Sequence, residues 1–428
     1  MYYRNLVFFL LVWGISFASG QNCFPQDSVA RIEFVGLKHT KEALVQRYIK
    51  HQNGFFYDST LAQQEVNALF DLGIFAEIKT QCPANGHGGV ILQYHFLELF
   101  KYLPAPALKQ SDQDGWMLGA AFAALNFGGQ AVRLELQMRT SVKPWWQSKE
   151  FAFYGKSPWL ANAPLDWDGE FIKTNSWDAL RQFSDDSYYA NFAGNYPLSK
   201  RCLLWGQIGF KYVNHTEDLA WLRAANYDYT PRVGIGFIYD SRDAKHNPQT
   251  GVYSEWSLSQ SGGFLGGAGD FQEYLWDLRG FYPSKWGLWV GSTLLRWRPG
   301  QMAFYDYLYQ GGANTLRAYD SSPEIVGQHE VITNFEYQFP LLKRQPVNLS
   351  GVQAFYALNL VVGADGALLW TETLGSENLR SSIYAGLHLI LPAINRLRVE
   401  YGYSPRHKNW NISVGLFEKS ITQRWRSR

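Results

Sequence analysis

The chain is poor in charge. Asp, Glu, Lys and Arg make up 18% of its 428 residues, against about 25% in typical soluble domains. The net charge is +2, and no basic face stands out apart from Arg424, Arg426 and Arg428. Nucleic acid is therefore not an expected partner. Cysteine is scarce, with only Cys23, Cys82 and Cys202. No run of about 18 apolar residues follows Gly20, so no transmembrane helix is expected. The signatures of catalysis are also missing. There is no Gly-x-Ser-x-Gly elbow, no His-Glu-x-x-His and no Cys/His metal cluster. These absences lead us to expect a chain that is not an enzyme and carries no cofactor or metal.

What is present begins with a leader. Arg4, the apolar stretch Leu6 to Phe17 and the small residues Ala18-Ser19-Gly20 read as a secretory signal over residues 1–20, cleaved before Gln21. Aromatic residues reach 17%. This balance suits a barrel in lipid, where aromatic girdles mark both interfaces, and it also suits a Trp-rich secreted carbohydrate binder. Composition alone leaves both open.

From Ala30 to Leu99 the pattern mixes α and β. Arg31 to Val35 alternates as a strand and ends at Gly36. Thr40 is the expected N-cap of a helix over Lys41 to His51, which Asn53-Gly54 stops. Asp58 caps a second helix whose apolar positions are Leu61, Val66, Leu69, Phe70 and Leu72, ended by Gly73. Strands follow at Ile74 to Lys79 and Val90 to Leu97. Cys23 and Cys82 flank this segment and form a candidate disulfide in an oxidising compartment; free thiols fit as well. Cys202 is expected to pack as a small apolar residue on a strand.

After Pro104 and Pro106 the helical period disappears, and segments of about ten residues alternate with period two. Val132 to Arg139 sets Arg, Glu, Gln and Arg against Val, Leu, Leu and Met. Arg396, Arg398 and Glu400 oppose Leu397, Val399 and Tyr401; Asn334, Glu336 and Gln338 oppose Phe335, Tyr337 and Phe339. A barrel with an apolar outside and a soluble sandwich both give this alternation. The absence of a helix over some 310 residues, and aromatics near strand ends, favour the barrel, whose closure leaves no edge facing lipid. About ten strands are read before Pro299 and five after Gly327, with the first near Gly115 to Phe127 and the last near Asn409 to Phe417. Gly262 to Gly269 reads as a hairpin loop and not as a nucleotide loop, because it opens no helix.

The long segment Pro299 to Gly327 interrupts the strands and contains Gly311-Gly312, then Leu316-Arg317-Ala318-Tyr319. This resembles the signature of the bacterial surface-antigen or outer-membrane assembly-factor barrel superfamily, with Ala318 where that family usually has Gly. Asn334 to Leu341 is similar to the family's Asn-x-Glu strand ending in Pro. Asp240-Ser241-Arg242-Asp243 with Pro248 and Gly251 matches a third element. The first domain resembles a POTRA unit through Gly36, Thr40, Gly54, Tyr57, Leu69 and Leu72-Gly73-Ile74-Phe75.

The resemblance implies a signal at 1–20, an α+β periplasmic POTRA domain over 21–103 and an all-β transmembrane barrel of about 16 antiparallel strands over 104–428. It implies a cell outer membrane location and a role in inserting, assembling or translocating other proteins. Dedicated export and a passive or structural pore are the alternatives. Expected partners are outer-membrane lipid, unfolded or secreted clients held at the POTRA edge strand, and periplasmic accessory proteins. The loop motif Gly311, Gly312, Leu316, Arg317 and Tyr319 is expected to fold into the lumen, with Arg317 held by Glu336 and by Asp365. Ala318 is expected to loosen the loop tip, because its Cβ stands where backbone approaches closely.

Overall fold

The computed structural model describes residues 23–416, apart from residue 87 and the segments 112–114, 143–146, 161–162, 164, 179–182, 216–226, 244–246, 314, 320–324, 350–351 and 391–395. Residues 1–20, read from the sequence as a leader, therefore lie outside the described residues, as do Asn314, Asp320, Phe417 and the arginine-bearing tail. Two compact units divide between Leu99 and Phe100.

The first unit runs β1 (Val29–Val35), α1 (Glu42–Gln46), α2 (Ser59–Phe70), β2 (Phe75–Gln81) and β3 (Val90–Glu98). Its sheet has the order β1-β3-β2, with β1 parallel and β2 antiparallel to β3. Gly36 ends β1 at φ +90, and a Cβ there would lie 2.4 Å from the Phe96 carbonyl; only glycine allows that approach. Asp58 caps α2, accepting from the amides of Thr60 (2.8 Å) and Leu61 (3.1 Å). The Cys23 and Cys82 sulfurs are bonded, tying the segment before β1 to the residue after β2.

Helix α1 is shorter than its sequence suggests, and Thr40 does not cap it; Lys41 holds the N-cap position without a side-chain bond. Two carboxylates explain the difference. Glu98 gathers the amides of Lys38, His39 and Thr40 at 2.8–3.2 Å, occupying Thr40 before the helix starts. Glu65, buried on α2, draws the amides of Lys50 (2.5 Å) and His51 (2.8 Å) out of helical geometry. Glu65 also takes His51 Nδ1 at 2.7 Å and the Tyr94 hydroxyl. Burial, then the Glu65 carboxylate, raises that phenol above its ordinary range. A fully bonded carboxylate thus fills a core position, while Phe70, expected inside, is exposed.

The second unit is a closed barrel. Its strands are β4 (Tyr102–Ser111), β5 (Gly115–Phe127), β6 (Val132–Ser141), β7 (Lys149–Ser157), β8 (Asp166–Asp178), β9 (Phe183–Pro197), β10 (Cys202–His215), β11 (Tyr227–Asp240), β12 (Gly251–Gly262), β13 (Asp270–Pro283) and β14 (Leu288–Trp297). The long connection holds the two-residue pieces β15 (Gly300–Gln301), β16 (Leu308–Tyr309) and β17 (Val326–Gly327). Then come β18 (His329–Leu349), β19 (Val352–Trp370), β20 (Leu379–Ile390), β21 (Leu397–Ser404) and β22 (Asn409–Leu416). Among the described residues eleven long strands precede the connection and five follow it, and β22 closes on β4. Ile208, Ile235, Phe335 and Ile412 stand more than half exposed on the outer face, while Glu255, Glu273, Asp277 and Glu330 are buried inside. This polarity is the reverse of a soluble sandwich and calls for hydrocarbon outside.

The strand that closes the barrel is β4, not Gly115–Phe127, and it contains Pro104 and Pro106, after which the sequence loses its helical period. Their position explains why they are tolerated. The Lys101 carbonyl accepts the Leu125 amide at 2.9 Å, so the odd-numbered residues of β4 direct their backbone groups to β5 and the even-numbered ones away from it. Pro104 and Pro106 thus lack donors on the side facing β22, and pairing with β5 loses nothing.

Because hydrogen bonds from the Thr40 side chain and the three amides outweigh burial, the Glu98 carboxylate sits below its usual range. A depressed carboxylate contributes stability that is present above its unfolded value of about 4.3 and is lost as pH falls through the folded value. Acid titration of the first unit's unfolding midpoint should therefore show a loss below about pH 4 that Glu98→Gln flattens. A variant with the wild-type acid profile would contradict this.

Candidate functional site

The connection between β14 and β18 folds into the barrel. Its tip is built from the glycine pair: Gly311 and Gly312 take φ +140 and +87. The Gly311 amide donates to Thr315 Oγ1 (2.7 Å), and the Gly312 amide to the Tyr319 carbonyl (2.7 Å). This tight turn drives Leu316 into a fully buried cluster with Trp205, Ile238, Tyr253 and Leu275 from the far wall. Tyr319 bonds Ser404 Oγ at 2.8 Å and His407 Nδ1 at 2.7 Å.

Arg317, 5% exposed, lies in a cage of acids. Its Nη1 is 2.5 Å from Asp365 Oδ1 and its Nε 2.9 Å from Glu400 Oε2; its amide donates to Asp365 Oδ2 at 3.1 Å. Glu336 stands further off, at 3.8 Å from Nη2. The guanidinium also lies 4.1 Å from the centre of the Tyr384 ring, a favourable cation–π contact. Each acid is held in turn: Asp365 by Ser382 Oγ and Asn334 Nδ2, Glu400 by His388 Nε2, and Glu336 by the Tyr384 hydroxyl and Gln338 Nε2. Glu336, His388 and Glu400 offer atoms close enough to ligate a cation, and Arg317 pairs with two of the three, Glu400 and Glu336.

Both expected partners of Arg317 are therefore in the cage, in reversed order of closeness, and Glu400 had not been assigned. Its signal was available, since the Arg396–Tyr403 alternation places Glu400 on the polar face. Close approach falls at Gly402 of β21, where a Cβ would lie 2.5 Å from the Arg317 carbonyl carbon. Ala318 itself is buried.

A second attachment was not legible at all. At the loop's shoulder, the Lys211 ammonium reaches Asp306 Oδ1 (2.8 Å) and the Tyr305 carbonyl (3.1 Å), while the Tyr305 hydroxyl donates to Asp228 Oδ2 (2.7 Å). Arg298, at the loop's root, bonds Glu273 and the Asp306 carbonyl. The shoulder's polar contacts are thus with β10 and β11, and the tip's with β18–β22. At the other end of the barrel the Asp240–Thr250 turn is organised by Asp240 on Arg242 and by Asp243 on the Gln249 and Thr250 amides.

A closed barrel with its own loop pinned through its interior by one buried arginine defines a class of transmembrane barrel whose lumen is occupied from within. The family description "Omp85 superfamily domain" matches residues 126–425, and the chain belongs to the Omp85 superfamily of the outer membrane. Among solved structures it is similar to BamA from Haemophilus ducreyi lacking POTRA domains 1–3, with TM-score 0.65, 14% identity, and 91% of this chain and 83% of that one covered. It is similar to CdiB from Acinetobacter baumannii at TM-score 0.60 and 12% identity, over 91% and 74% of the two chains. For CdiB from Escherichia coli the values are 0.56 and 12%, over 94% and 91%. These likenesses concern the fold. A search of curated proteins finds no match.

Breaking a buried ion pair costs about 3–5 kcal/mol. Arg317→Ala should lower the barrel's stability to urea in lipid vesicles by that order. Arg317→Lys should not restore it, because Asp365 and Glu400 use different nitrogens of the planar fork. Wild-type stability in either variant would remove Arg317 from its structural role. Lys211→Met should raise ion conductance in planar bilayers while leaving heat-modifiable migration intact; unchanged conductance would show that the shoulder does not close the lumen.

Proposed function

We propose that this chain helps other polypeptides insert into or cross the outer membrane, acting without catalysis and without a cofactor. The observation that carries the reading is the seam between β4 and β22. Pro104 and Pro106 remove two donors from the side of β4 that faces β22, and β22 spans eight residues among those described. A seam short of hydrogen bonds is the cheapest place to open a barrel, and its freed edges template an incoming strand. The loop tip adjoins it: Asn411 on β22 donates to the Tyr319 carbonyl at 3.1 Å and to the Arg317 carbonyl at 3.4 Å.

The first unit resembles a POTRA domain, and we assign it to the periplasm as the docking element. Its β2 lies at one edge of the sheet, where an extended client or an accessory protein adds by main-chain pairing. Paired cysteines placed across β4 and β22 in a Cys202→Ser background test the seam. Oxidation should stop insertion of a urea-unfolded barrel polypeptide into vesicles, and reduction should restore it. Activity unchanged by oxidation would rule out the seam as the exit.

Export of a dedicated partner through the lumen is the second reading, favoured by the polar, removable contacts at the loop shoulder. Gene deletion separates the readings. Loss of many outer-membrane barrels supports assembly, loss of one secreted protein supports export, and an unchanged proteome supports a structural barrel.

A further inference from the structure

The inner wall at β8, β9 and β10 carries polar groups with no hydrogen-bond partner among the described residues. On β8, β9 and β10, Glu170 Oε1, the Tyr189 hydroxyl, and both amide atoms of Asn191 and of Gln207 have no hydrogen-bond partner among the described residues. All four side chains are more than nine-tenths buried. Such groups are rare in folded proteins, and each calls for a partner from elsewhere.

They are also contiguous. Asn191 faces Glu170 across β8 and β9. Tyr189 is the next inward position along β9, and Gln207 faces Ala193, the next one the other way. Glycine makes room for the amides. A Cβ at Gly209 would lie 3.0 Å from Asn191 Oδ1, and one at Gly234 would lie 3.2 Å from Gln207 Nε2. The shoulder attachment borders this band, since Lys211 pairs in register with Tyr189.

We propose that Glu170, Tyr189, Asn191 and Gln207 form a track for the main chain of an extended polypeptide, uncovered when the loop shoulder leaves Lys211 and Asp228. This rests on the export reading. The chemistry fits a peptide backbone. A side-chain amide donates and accepts at once, as a peptide group does. Inward positions along a strand repeat at about 6.7 Å, the repeat of an extended chain lying beside it. Recognition through the main chain asks little of the client's sequence.

The test is single-channel recording of the full chain in planar bilayers, opened by Lys211→Met with Asp228→Asn and presented with an uncharged peptide of Gly, Ser and Asn. Peptide blockades should be resolved, and Asn191→Leu with Gln207→Leu should shorten their dwell time about ten-fold, the effect of losing two neutral hydrogen bonds. Asn191→Asp with Gln207→Glu, which keeps the shape, should also shorten it, and Ile208→Ala on the outer face should not. Heat-modifiable migration reports that each variant is folded. Equal dwell times in all variants would mean that these groups bind water only and would overturn the proposal. So would opened channels that the peptide never blocks, or shoulder variants that never open. Shortened dwell times with an unaltered secreted proteome on gene deletion would keep the track and remove the export reading; the reverse pair of results would do the opposite.

Discussion

One buried positive charge organises the interior of this barrel. Taking a guanidinium out of water costs several kcal/mol, and only close, well-oriented acids offset that cost. Arg317 meets this demand by touching Asp365 on β19, Glu400 on β21 and the Tyr384 ring on β20, with Glu336 of β18 behind them. The demand runs both ways. Without the arginine, three buried carboxylates would face one another across a low-dielectric space. The loop tip and the wall of β18–β21 therefore hold each other in place, and the lumen is filled because the electrostatics of both sides require it.

From this follows an uneven distribution of strength around the barrel. The wall near the cage is tied by charge-assisted bonds through the loop. Next to it, β22 touches the loop through Asn411, and on its other side meets a strand with two prolines. The loop tip and the strand that closes the barrel are thus in direct contact through Asn411. The far wall of β10 and β11 holds the shoulder by separate contacts. The polar contacts of the shoulder and those of the tip thus fall on different strands, while Leu316 of the tip packs on the apolar residues of the far wall.

Much of the architecture was readable from residues. Period-two ladders with aromatics, a glycine pair before Leu316-Arg317 and the POTRA-like string account for the strand-rich barrel, the inward loop and the order of elements in the first unit. Two kinds of feature escaped. Pro104 and Pro106 argue against a strand until it is known which neighbour each backbone group faces, and only the register with β5 reveals that. The pairings of Glu400 with Arg317 and of Lys211 with Asp306 depend on which strands confront each other across a closed barrel, a distance that spacing along the chain does not encode. In the first unit, Glu65 defeated the apolar pattern because its partners, His51 and Tyr94, come from other elements.

The central claim is that the loop tip lies inside the barrel, held there by Arg317. Its most direct test is labelling of a cysteine at Ala313, 1% exposed at that tip, by a membrane-impermeant maleimide in intact cells of a Cys202→Ser background. The account predicts no labelling when Arg317 is present and rapid labelling when it is replaced by alanine. Rapid labelling with Arg317 in place would contradict it.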